Sequence, residues 1–225
     1  MKGSEKENGC AALDSQRITL YHGSKSGISG AIMPASRKHC DFGQGFYMGT
    51  NRIQPLTLIY NYPNAKLYTL SADLSDLRIL NMEVGLDWAL LVAYNRGKME
   101  SVKSSPIYEY FANLRKGCDM VIGSIANDRM FVVLDRFFNG EITDLALIHS
   151  LSALKLGLQY VALTEKACRR INILEESSLS DADRDKLKQE SESNRSAGIR
   201  MADEICKKYR REGRFFDEII SENNV

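Results

Sequence analysis

The longest apolar run in this chain, Trp88–Ala93, falls far short of the ~20 residues needed to cross a bilayer. Charge of one sign does not dominate either. Thirty basic side chains face twenty-nine acidic ones, a net charge of +1, so no global field recruits nucleic acid or a membrane surface. Histidine is scarce (His22, His39 and His149), and the five cysteines (Cys10, Cys40, Cys118, Cys168 and Cys206) are scattered and odd in number. No pair of them has metal-ligand or redox spacing, which argues against a disulfide framework and against a bound metal. Cys40 stands beside His39 without an identifiable third orienting group, so a cysteine nucleophile is disfavoured. Met1–Gly9 is polar and charged and has no apolar core of the kind a signal peptide needs. The expected location is the cytoplasm.

What is present suits an ordinary globular protein: 225 residues, 44% hydrophobic and 26% charged, enough to bury the core of one sizeable domain. The pattern predicts a frayed leader over 1–15, a short strand at Ile18–Tyr21 and a glycine-bearing loop from Gly23 to Gly45. A helix follows over Pro55–Asn61, then an alternating strand at Lys66–Leu74. Helices are expected over Val84–Asn95 and Pro106–Lys116, a β-rich run over Cys118–Ile125, and helices over Asn127–Asn139 and Thr143–Leu156. Leu158–Leu163 reads as a strand, and Thr164 as the cap of a helix through Leu174. From Ser180 the chain becomes heavily charged, with few large apolar groups. The expected division is a domain over 16–175 and a charged helical tail over 176–225, docked or waiting for a partner. Irregular alternation of strands and helices predicts α+β rather than a doubly wound parallel sheet.

Two segments carry chemistry. Tyr21-His22-Gly23-Ser24 ends an apolar run with a ring that both donates and accepts hydrogen bonds. Asp41-Phe42-Gly43-Gln44-Gly45-Phe46-Tyr47-Met48-Gly49-Thr50 packs two glycines and two aromatics close together, which lets backbone and a flat ring approach a bound molecule. They read as the wall and floor of a nucleotide pocket. The blander readings are a turn at Gly43 and Gly45 and a core position for Phe46, whose side chain alternates with that of Tyr47.

Together with Leu158-Gln159-Tyr160-Val161-Ala162-Leu163, these segments resemble, in order, the three motifs of the diphtheria-toxin and poly(ADP-ribose) polymerase superfamily. That superfamily draws a His, a Tyr and a Glu from three strands. The span from Ile18 to about Leu174 resembles more closely a bacterial family of ADP-ribosyltransferase-like domains. There an Asp-Phe-Gly-x-Gly-Phe-Tyr block precedes one like Cys118–Arg129. The resemblance implies a split mixed β-sheet core with surrounding helices and NAD+ as a substrate, with no metal. It implies that Tyr47 stacks on nicotinamide, that His22 hydrogen-bonds a ribose hydroxyl, and that the Gly23 backbone meets the carboxamide. Tyr21, Ser24, Gly43, Gly45 and Phe46 complete the implied nucleotide site. Breaking the nicotinamide–ribose bond builds positive charge on the sugar, so such a site must hold the ring, fix the ribose and stabilise that charge.

At the third motif the chain departs from the pattern, with Gln159 where the superfamily usually has glutamate. Glutamine can bond a ribose hydroxyl, but it neither takes a proton nor offers a full negative charge. Three readings stay open: an acid from elsewhere, with Asp119 and Asp128 as candidates; an acceptor nucleophilic enough to need no base; or binding with little chemistry. Asp128 equally suits a helix start, and Asp119 a strand end. Arg129 suits either an ion pair with Asp128 or a pyrophosphate, and Tyr60 either helix packing or the second face of the nicotinamide. The implied function is a mono-ADP-ribosyltransferase acting on a macromolecular acceptor, protein or nucleic acid. Proteins of this kind look like toxins or conflict effectors restrained by a small antitoxin partner. The alternatives are an NAD glycohydrolase and a catalytically weak nucleotide-binding interaction protein.

Overall fold

Alternation of apolar and polar residues builds the centre of the sheet. Lys66–Asp73 (β4 in chain order) buries Tyr68, Leu70 and Ala72 on one face and Leu67 on the other. In the computed structural model, which describes residues 10–12, 17–125, 128–153, 157–210 and 212–222, eight strands form one mixed sheet. They are β1 (Cys10–Ala12), β2 (Arg17–Ser24), β3 (Phe46–Gly49), β4, β5 (Arg78–Met82), β6 (Met120–Ser124), β7 (Leu158–Ala162) and β8 (Ile171–Ser178). The spatial order is β1-β5-β6-β7-β3-β2-β4-β8. Only β5 and β6 run parallel; the other pairs are antiparallel.

The helices are α1 (Ile53–Ile59), α2 (Leu86–Asn95), α3 (Pro106–Asn113), α4 (Asp128–Phe138), α5 (Asp144–Ala153), α6 (Glu165–Cys168), α7 (Asp181–Lys208) and α8 (Phe216–Glu222). Ser105 caps α3 ahead of Pro106, and Ser180 and Asp183 form a reciprocal capping box at the start of α7. The largest core cluster gathers α2 to α5 and α8 on one face of the sheet, around Trp88, Phe111, Phe137 and Phe216. A second cluster lies on the other face around Leu20, Tyr68, Ile79 and Met120, and a third joins α1 to Leu187 of α7. No described helix is long and apolar enough to cross a membrane.

Three elements differ from the sequence expectation. Residues 10–12, within the expected leader, pair with β5 as an edge strand. Strand β5 has no counterpart in the sequence reading. It is covered on both faces, Ile79 packing into one cluster and Leu80 into the other, so no alternation betrays it. The helix expected through Leu174 stops at Cys168, and Ile171–Ser178 is instead a strand on the outer edge. Its side chains are largely exposed, and it is held by its backbone ladder to β4 and by pairs such as Lys66–Glu176 at 3.2 Å. Ile173 and Leu174 stay exposed in this strand, so no buried face marks a strand period, and the helix start at Thr164 reads on into it.

Candidate active site

The seam between β2 and β3 positions the site. Strand β2 pairs with β4 along all eight of its residues but meets β3 at one pair, Tyr21↔Gly49. The next antiparallel pairs would continue the ladder toward Gly23 and Tyr47. The His22 ring interrupts it instead, with Nδ1 2.7 Å from the Tyr47 carbonyl oxygen. A carbonyl only accepts, so Nδ1 carries the proton and Nε2 is left as a bare acceptor. Burial pulls the His22 pKa down and outweighs the opposing effect of that hydrogen bond, so the ring is neutral at pH 7. It also stacks on Phe46, with centroids 4.3 Å apart.

Where the strands part, a cleft of about 660 Å³ opens. Tyr21, His22, Gly23, Tyr47 and Gln159 all line it. The register explains the assembly: Tyr21, Gly49, Gln159 and Gly123 lie in one row across β2, β3, β7 and β6. Gly23 admits α1 to the rim, since a Cβ there would stand 2.8 Å from the Pro55 carbonyl oxygen. Lys25 and Arg37 bring positive charge to the walls, while the charge of Arg96 is matched by Asp41.

Tyr47 is locked in place. Its hydroxyl donates to the Gly43 carbonyl (2.7 Å) and accepts from the Phe42 N–H (3.0 Å). Burial drives its pKa well above the usual phenol range, so the hydroxyl stays a donor. Gly43 has φ +76°, and a Cβ there would lie 2.7 Å from the Arg115 guanidinium, so its role is the turn that receives the phenol. Gly45, Phe46 and Ser24 line a neighbouring hollow of about 550 Å³, which shares His22 and Tyr47 with the cleft. Ser24 there donates to the Gly27 carbonyl. Phe46 is a core residue, as its alternation with Tyr47 implies.

Two sequence candidates lie elsewhere. Asp119, proposed as the missing acid, is tied at the far end of β6, away from the cleft. It accepts from the Arg78 N–H (3.0 Å), Thr164 Oγ1 (2.9 Å) and Lys166 Nζ (2.9 Å). Tyr60 caps the end of α1 and lines a separate hollow, its carbonyl accepting from Arg184. The side chains of Asp128 and Arg129 lie outside the described residues.

The tie at Asp119 has a measurable consequence. Burial pushes its carboxyl pKa up, but the hydrogen bonds from Arg78, Lys166 and Thr164 bring it below the ordinary value. A lowered folded value means that the stabilisation is present above the unfolded carboxylate range, about pH 4, and is lost as pH falls through the folded value. An Asp119→Asn variant is therefore expected to melt below wild type at pH 7, with the gap narrowing as the pH falls below about 4. A constant gap across that range would contradict the assignment.

The structure supplies a carboxylate that sequence reasoning passed over. Asp41 lines the cleft yet is only 6% exposed. Arg96, immediately after α2, donates to its Oδ1 through Nε (3.0 Å) and Nη2 (2.6 Å). Asn95 holds its backbone carbonyl at 3.1 Å. Gln159 Nε2 reaches Asp41 Oδ2 at 3.2 Å and the Ser124 carbonyl at 2.9 Å. The Asp41–Gln159 contact spans more than a hundred residues, so no local spacing announced it. The one available signal was an acidic residue heading the glycine-aromatic block.

The fold is mixed α/β, with a cleft of about 660 Å³ opening beside the seam between β2 and β3. Residues 18–173 match the family described as protein of unknown function (DUF3990), and the chain belongs to that family. No curated protein matches it. Among solved structures it is similar to a chain of the M. tuberculosis MbcT–MbcA toxin–antitoxin complex. Identity is 9% and the TM-score 0.41, with 78% of this chain and 91% of that chain covered. A likeness that loose transfers neither fold nor activity.

Proposed function

We propose that the protein consumes NAD+ as an ADP-ribosyltransferase, moving ADP-ribose onto a macromolecular acceptor. The observation that carries this reading is the convergence of a neutral His22, a clamped Tyr47 and the Gln159 carboxamide on one cleft with cationic walls. The single-pair seam between β2 and β3, within one continuous sheet, supports reading the fold as the split sheet that the resemblance implies. In the proposed reaction Tyr47 supplies a flat face for nicotinamide, and the unprotonated Nε2 of His22 accepts from a ribose hydroxyl. Lys25 and Arg37 face the pyrophosphate. The bond from the ribose to nicotinamide breaks with its electron pair leaving on the neutral base. The acceptor then bonds to the ribosyl cation and releases its proton to solvent.

Incubation with labelled NAD+ and cell extract tests the proposal. Label on protein, RNA or DNA, with matching nicotinamide release, is the expected result. Free ADP-ribose with no labelled macromolecule would select a glycohydrolase in its place. Neither label nor nicotinamide release would overturn both enzyme readings and leave a nucleotide-binding interaction protein. A transferase of this kind fits the role of a toxin or conflict effector restrained by a small antitoxin partner, which co-purification with neighbouring gene products would detect.

A further inference from the structure

The superfamily's glutamate is missing, and the geometry around its replacement points to a different device. Both groups facing Gln159 Nε2, the Ser124 carbonyl and the Asp41 carboxylate, are acceptors. Their chemistry fixes which end of the amide is nitrogen. Both N–H groups are consumed there, while among the described residues Oε1 takes no hydrogen bond, in a side chain that lines the cleft. The glutamine thus presents a rigid carbonyl oxygen to the ligand space. Behind it stands an anion held by the two-pronged Arg96 clamp.

An amide whose N–H donates to a carboxylate shifts electron density toward its oxygen, because hydrogen bonds in a chain polarise one another. We infer that Asp41 is a positioning residue that acts through Gln159, orienting and polarising its Oε1 so that a glutamine does the work of the absent carboxylate. This inference rests on the NAD-cleaving reading. The polarised oxygen holds a hydroxyl of the ribose bearing nicotinamide and offers partial negative charge as the sugar becomes cationic. No proton is transferred to it; the acceptor's proton goes to solvent.

A consequence runs against intuition. Restoring the superfamily residue with Gln159→Glu would set a second carboxylate within about hydrogen-bond distance of Asp41, and like charges so close oppose ionisation of both. The single variant is therefore expected to lose NAD+ turnover by about tenfold or more, the scale of one electrostatic contact in a closed site. The exchange Asp41→Asn with Gln159→Glu keeps one negative charge and one amide in the pair, and is expected to recover most of that loss.

Nicotinamide release would be followed in wild type, Gln159→Glu, Asp41→Asn and the double variant. NAD+ affinity by calorimetry and melting temperature would accompany each, since Asp41→Asn leaves Arg96 facing an amide and can lower stability by itself. Support requires Gln159→Glu to stay folded and bind NAD+ while turning over slowly, with kcat restored in the double variant. A Gln159→Glu protein as fast as wild type or faster would overturn the inference and leave the NAD reading standing. A folded, NAD-binding double variant no better than Gln159→Glu would overturn it too. Wild type that neither binds nor cleaves NAD+ would remove both.

Discussion

Replacing Tyr47 with alanine is expected to weaken NAD+ binding by about 10–100-fold, the loss of one base-sized stacking contact. The effect is large because the ring is both surface and brace. The residue lines the cleft, and its hydroxyl ties the Phe42 and Gly43 backbone to β3. Tyr47→Phe separates the two roles. It keeps the face and removes the brace, so it should lower stability by about 1–3 kcal/mol, the cost of leaving buried backbone groups unpaired, with a smaller change in affinity. Calorimetric titration of NAD+ beside thermal melts reads both quantities. A Tyr47→Ala protein with wild-type nucleotide affinity would end the pocket assignment.

Phe216→Ala is expected to cost about 3–5 kcal/mol, the usual range for emptying a buried aromatic site. That corresponds to a fall in melting temperature of roughly 6–20 °C for a chain of this size. Phe216 is 4% exposed and packs edge-on against Phe137 at 5.6 Å and Phe138 at 5.3 Å. The segment carrying it is also tied at its start, where the Arg214 N–H donates to Asp144 and the Arg214 carbonyl accepts from the Asp144 N–H, both at 2.8 Å. Such a segment should melt with the rest of the molecule in one cooperative transition. If 176–225 were an appendage, the main transition would stay in place and a second, weaker one would move.

Several elements were legible because their periodicity is local. The alternation in β4 follows from a strand with one face buried and the other mostly half-covered, and the Ser105-Pro106 and Ser180-Asp183 starts follow from capping chemistry within four residues. Strands β5 and β8 were opaque for opposite reasons, the one buried on both faces and the other exposed along most of its length. The charge of α7 left open whether the tail docks or waits for a partner, and Leu187 and Cys206 turn inward to the apolar clusters. Two residues among so many charges make a weak signal, but each reaches a cluster already assembled by other elements.

The candidate site divides along the same line. The resemblance carried by the motif order set the kind of ligand to expect and named His22, Tyr47 and Gln159, three residues that line one cleft. The tertiary structure alone decided which carboxylate stands beside them. Asp119 is spent on Arg78, Thr164 and Lys166, whereas Asp41 arrives at Gln159 through the pairing of β3 with β7 and the clamp at the end of α2. A charge acts over a few ångströms of space, and chain separation does not report that distance.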